Sequence, residues 1–441
     1  LAAGALLGGL WWKGQPPAPA DHSQREALCR RDPADASACA ALGTAKLMSG
    51  ELDAARELAA RALKVSPDDL HARLLDAAIE QASGHPAAAK EKYEALEKIH
   101  PESGLPAANL SMLALEAHDL DGASAAAERA VQKDPRLGMA HAMRARILGV
   151  KGDRAGAERE LELAVALDPG ATETRLELAD LYASESRGAA RLKLLRETVM
   201  FSPDDPAAHL GYGQALEQSG DLNDAGNELR LAETLAPKDA RIGLALARVR
   251  LEQGKPDFAV PRLKEILEAH PDSVEARLLF AAGLHAQGSD PEALEELDAI
   301  LSRKDLRPEE RSRALRTRAR VQAGRGDSTA ALADYGAILV ADSSNGIARV
   351  ERAHLLLDLG RYDEAERDLR AVNTKGYPTA QSMLDQARFF AHAGEDAAAV
   401  NTLRALLDAH RFDADQVRAQ PELRRLEGNP DYRLLFEDAK Q

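Results

Sequence analysis

Two sets of side chains in this sequence have the type and spacing to act on another molecule. Arg313, Arg316 and Arg320 stand three and four residues apart, so on a helix they share one face. Arg241 and Arg248, seven apart, form a second such pair about two helical turns long. Guanidinium forks match carboxylates, so these residues point to capture of a carboxylate-bearing segment rather than to bond making. Cys29 and Cys39 flank a turn at Pro33–Ala34. They could bond across two adjacent antiparallel helices in an oxidising compartment, or stand as two small buried thiols. The twelve histidines show neither an HExxH motif nor paired metal spacing. Gly211 and Gly213 lack the third glycine of a dinucleotide fingerprint and follow no strand. No catalytic residue, cofactor or metal is expected, and the chain is not expected to be an enzyme.

These residues must be positioned by a repeated element. Proline returns every 34 residues at Pro33, Pro67, Pro101, Pro135, Pro169, Pro203, Pro237 and Pro271. Glycine keeps the same period at Gly50, Gly84, Gly152, Gly220, Gly254 and Gly288, with His118 and Ser186 in the two skipped places. Glycine suits the left-handed end of a helix and proline cannot continue one, so each period predicts two helices of about 14 residues forming a hairpin. Counting each repeat from Ala36, the eighth slot is always small, from Gly43, Ala77 and Ser111 through Gly213 to Ala319 and Ala387. The twentieth slot is alanine from Ala55 to Ala399, except for Arg191 in the fifth repeat. Small residues on both helices let the backbones approach closely. Larger residues four positions on, such as Tyr93, Leu229 and Tyr335, then fill the space toward the next hairpin.

This order of small residue, alanine, leucine or aromatic, and proline resembles the tetratricopeptide repeat (TPR), and it recurs about eleven times between residues 36 and 413. The resemblance implies an all-α, right-handed superhelical solenoid whose first helices line a concave groove. Groove-facing slots are then about 2, 5, 6, 9, 12 and 13. In the first four repeats they hold Leu47, Met48, Leu74, Leu75, Leu105, Met112, Leu115, Met139 and Met143, including four of the six methionines. Flexible methionine suits a groove that accepts apolar or amphipathic partner faces. Later repeats place Arg241, Arg248, Arg313, Arg316 and Arg320 there, and these are expected to meet an acidic segment. The opposing readings are that the methionines simply pack between hairpins and that the arginines are a solvated face paired with Glu309 and Glu310. The carboxylate clamp of chaperone-binding members is missing, since Ala40, Thr44 and Leu75 stand at its places.

The ends and the joints depart from the period. Residues 1–12 are apolar or glycine throughout, and with Trp11, Trp12 and Lys13 they are expected to be the end of a membrane anchor. A cleaved signal segment ending at the Ala18-Pro19-Ala20 pattern is the rival. Residues 13–20 are then a proline-rich linker, 21–35 a capping half repeat, and 414–441 closing helices. The fifth repeat loses its glycine turn, and the spacing from Ala293 to Ala331 stretches to 38 residues. Both are expected to change the local superhelix pitch rather than to create sites.

The net charge of −15 and the 4% aromatic content argue against nucleic-acid binding and against a sugar-binding groove. The expected function is a non-catalytic scaffold that binds protein partners, membrane-anchored on the periplasmic side of a bacterial envelope or secretion assembly. A soluble periplasmic or secreted carrier, or a polysaccharide-export scaffold, is the alternative.

Overall fold

The computed structural model describes Cys29 and residues 35–372, 380–408 and 414–437. The expected anchor, the linker and all of the half repeat but Cys29 and Asp35 lie outside the described residues. Among the described residues every regular element is a helix, and none is long and apolar enough to cross a membrane. The chain divides into two compact units, Leu1–Lys238 and Asp239–Gln441. The repeat period carries no sign of this division, because it runs unbroken through Pro237.

Each unit is a succession of helix pairs. In the first they run from Ala36–Met48 with Leu52–Val65 to Pro206–Ser219 with Leu222–Leu235. In the second they run from Ala240–Glu252 with Pro256–Ala269 to Ala380–Ala393 with Asp396–Asp408. Many first helices begin on short polar caps. The Asp69 side chain accepts from Ala72 N at 2.8 Å, and Ser273 and Asn345 do the same for Ala276 and Ala348. Such a cap satisfies a backbone donor that the helix itself leaves open.

The two small slots meet. Ala55, Ala89, Ala225, Ala259 and Ala293 are fully buried, as are Ala77, Ala281 and Ala353 from the eighth slot. The approach is close at Gly213, where a Cβ would stand 2.7 Å from Leu229 Cγ and 3.3 Å from the Ala225 carbonyl. Arg191 lies buried in the fifth alanine slot and leads its guanidinium out to the Gln218 side chain.

A basic side chain holds the joint between many of the hairpins. Six residues after the repeat proline, in the fourth slot, Arg73, His141, Arg175, His209 and Arg277 donate to the carbonyls of Pro67, Pro135, Pro169, Pro203 and Pro271 at 2.6–3.0 Å. Arg349 does the same for the Ser343 carbonyl. These carbonyls follow a helix end and have no intrahelical partner. Several of these side chains also meet an acid nineteen residues on: His141 with Glu160, His209 with Glu228, Arg277 with Glu296 and Arg349 with Asp368, at 2.7–3.2 Å.

The irregular joints are resolved locally. The longer spacing adds one turn to the start of Pro308–Gly324, a 17-residue helix whose Glu310 accepts from the Arg307 backbone at 3.0 Å. At the end of the chain, Ala414–Arg418, a 3₁₀ segment over Pro421–Gly428 and Pro430–Glu437 bury Val417, Leu423, Leu426, Tyr432 and Phe436 on the last hairpin.

The turns confirm why the glycine places exist. Among the described residues, nine glycines have φ between 69° and 86°, including Gly326, Gly360 and Gly394 beyond the longer spacing. His118 and Ser186 adopt φ of 58° in the same role, a conformation that costs a side chain about 1 kcal/mol. His118 is exposed there. His118→Gly is therefore expected to stabilise the protein by about 0.5–1 kcal/mol, read as a higher urea midpoint with an unchanged slope.

Candidate partner-binding face

Of the methionines expected to line a groove, only Met48 is open, at 55% exposure. Met112, Met139 and Met143 are 4%, 6% and 1% exposed, which corrects that expectation. Met112 and Met143 share a cluster with Ala123, Ala127 and Ile147. Ala127 occupies the place where most other repeats carry leucine or tyrosine, and the flexible thioethers fill the space it leaves. Met139 packs in the cluster of Ala126, Ala130 and Leu137. These three are packing residues.

The arginines are different. Arg313 and Arg320 are exposed and Arg316 half-buried, all on Pro308–Gly324. That helix is positioned by Ala319, which is fully buried against Ala331, Tyr335 and Ile338. Arg316 Nε lies 3.9 Å from Glu351 on the next first helix. Burial is the main influence on Glu351 and pushes its carboxyl up, while Arg316 and Arg320 pull it back. Among the described residues, Arg313 and Arg320 have no ion-pair partner within 4.0 Å. Glu310 is held by Arg307 and does not neutralise the stripe. Arg241 pairs with Asp239 at 2.6 Å beside its own helix start, and Arg248 reaches Glu275 at 3.6 Å. The structure thus leaves charge exposed on the later stripe and engages it on the earlier one.

A ladder between first helices went unnoticed in the sequence. A cation in the ninth slot meets an acid in the second or sixth slot of the next repeat: Arg146 with Glu173 and Glu177, Arg248 with Glu275, and His354 with Asp385. Tabulating those three slots would have exposed it. The ladder ends on Arg388, whose side chain is 4% exposed and binds Asp385, Asp358 and Glu422 at 2.8–3.2 Å. Glu422 belongs to the closing segment, so this cluster fastens the cap to the last hairpin. Cys29 and Cys39, both fully buried, are joined in a disulfide at the start of the first hairpin. Among the described residues, no group of three or more His, Cys, Asp or Glu side chains is placed to hold a metal ion.

Sequence comparison agrees with the helix pairs. Residues 250–318, and separately 179–240, 316–372 and 350–414, match profiles of the tetratricopeptide repeat. The chain belongs to the tetratricopeptide repeat family. Repeats of this family mediate protein–protein interactions, and its members generally serve as non-catalytic scaffolds. Human DnaJ homolog subfamily C member 3 is 25% identical over 225 residues, 48% of this chain. The chain spans 44% of that relative's length. Among solved structures, PilW, a type IV pilus biogenesis factor, is 20% identical with a TM-score of 0.41, covering 45% of this chain and 92% of its own. A thermophilic TPR protein of Thermus thermophilus is 26% identical with a TM-score of 0.37, covering 41% and 99%.

The ladder carries a pH dependence. The hydrogen bond to Asp385 at 3.0 Å is the main influence on His354 and holds its imidazole above the ordinary histidine range. A raised folded value adds stability at pH below the unfolded histidine value of about 6.5, and that stability is lost as pH rises through the folded value. His354→Gln is expected to lower the urea midpoint at about pH 5.5 and to have no effect by about pH 8.5.

Proposed function

We propose that this protein is a non-catalytic scaffold that captures an acidic segment of a protein partner on the first-helix face carrying Arg313, Arg316 and Arg320. The observation that supports it most is charge left open in an acidic chain. Nearly every other arginine named above is engaged by a carboxylate or a carbonyl, whereas Arg313 and Arg320 face outward without one among the described residues. The neighbouring first-helix residue Ile347, 39% exposed, gives an apolar spot on which a partner side chain can rest. An acidic amphipathic segment would satisfy both.

The setting we propose is a bacterial envelope or secretion assembly, on the periplasmic side of a membrane. The Cys29–Cys39 disulfide supports a compartment in which such bonds persist. The expected N-terminal anchor would tether the scaffold there. A polymer-guiding role is less well supported, because sugar platforms rely on aromatic rings and the chain has few.

A labelled peptide rich in Asp and Glu, with a leucine or phenylalanine every third or fourth position, tests the reading by fluorescence anisotropy. Charge reversal of Arg313, Arg316 and Arg320 to Glu is expected to weaken its binding by tenfold or more and to flatten the dependence on salt. Unchanged affinity with unchanged helicity would remove the arginine face from the account.

A further inference from the structure

A second cluster of arginines lies away from that face. A cleft of about 550 Å³ opens in the second unit between the helix Ser328–Ala341 and the pair Gly346–Asp358 and Tyr362–Ala371. In Gly346–Asp358 its lining comes from Arg349, Arg352 and Leu356, the fourth, seventh and eleventh slots. At 100° per residue these point about 150° away from the second, fifth and ninth slots that form the partner face. The two surfaces are therefore separate.

The charge in the cleft does not balance. Arg349, Arg352, Arg361 and Arg367 line it together with two carboxylates, Asp368 and Glu364. Asp368 is 2% exposed and receives both Nε and Nη2 of Arg352 at 2.7 Å and Nη1 of Arg349 at 3.2 Å. Its single charge holds two guanidinium groups. Glu364 takes Arg361 at 2.6 Å and stands 3.9 Å from Arg367, again one carboxylate to two guanidinium groups. Of the further acids along the same helix, Asp363 does not line the cleft and Glu366 is taken by Arg370 at 2.6 Å. Two positive charges remain, in a chain whose net charge is −15. Leu332 and Leu356 form apolar wall, which strengthens any ionic contact made beside it.

The geometry points to a binding site for a phosphate monoester dianion, free or carried on a peptide. A phosphate at neutral pH bears a charge of about −1.5 to −2 and offers three acceptor oxygens. That matches the surplus and the guanidinium donors of Arg361 and Arg367, whereas one carboxylate would leave a positive charge unmet. Asp368 acts here as a positioning residue, fixing Arg349 and Arg352 on the floor while Arg361 and Arg367 close from the rim.

The test uses the full chain and isothermal titration at fixed ionic strength, with three probes: inorganic phosphate, a phosphoserine peptide and its unphosphorylated twin. Arg361→Gln with Arg367→Gln removes the rim and leaves the pair that holds Asp368. The expected result is phosphate-dependent binding that falls at least tenfold in the double variant, with helicity unchanged by circular dichroism. Tighter binding of the phosphopeptide than of inorganic phosphate assigns the ligand to a modified protein, and equal or weaker binding assigns it to a free phosphate. Binding of the unphosphorylated twin equal to that of the phosphopeptide, binding indifferent to the double substitution, or no binding of either phosphate probe at millimolar concentration would overturn the proposal.

Discussion

The close approach of two helix backbones at the eighth and twentieth slots is the constraint on which the rest of the structure depends. Only glycine, alanine or serine fits the eighth slot, and alanine fills the twentieth wherever the described hairpins are regular. Once that contact is made, the rotation of each helix about its axis is set. On the arginine helix, slots 2 and 9 then turn to the surface, and slots 4 and 7 of the next first helix turn toward the joint with neighbouring second helices. The arginine face owes its direction to this contact, with Ala319 buried on one side of the helix and Arg313 and Arg320 exposed on the other. Larger side chains such as Leu229, Leu263 and Tyr335 then fill what the small pair leaves open.

Charge is the second layer of the design. Alanine-rich contacts bury little area each, and the joints are supplemented by cations that cap carbonyls behind the repeat proline. Where the cation also meets a buried acid, as Arg349 and Arg352 meet Asp368, removing one partner would strand the other in a poorly solvated place. Such pairs specify register more than they add net stability. Against this background of engaged charge, the exposed guanidinium groups of Arg313 and Arg320 stand out.

Much of the fold was legible because its determinants are local. Proline and glycine mark helix ends through their own backbone chemistry, so Pro67 or Gly220 can be read without knowing any tertiary contact. The longer spacing before Ala331 was legible as an irregularity, and the structure spends it on an extra helical turn. The methionines misled because exposure depends on what lies opposite. Met112 and Met143 fill the space beside Ala127, which is small where most other repeats are large and stands on the helix between theirs. The fourth-slot donors were invisible for a related reason: histidine and arginine both serve there, and only a shared carbonyl acceptor reveals them as one element. The arginine stripe was found because three residues on one helix face need no tertiary information to align.

The central claim is that the small-residue contact orients the arginine face and thereby makes it competent to bind. The most direct test is Ala319→Leu, which overpacks the eighth slot of the arginine helix and leaves Arg313, Arg316 and Arg320 in place. The account predicts a fall in stability of about 1–3 kcal/mol in urea together with loss of acidic-peptide binding. Wild-type stability and wild-type affinity in that variant would contradict it.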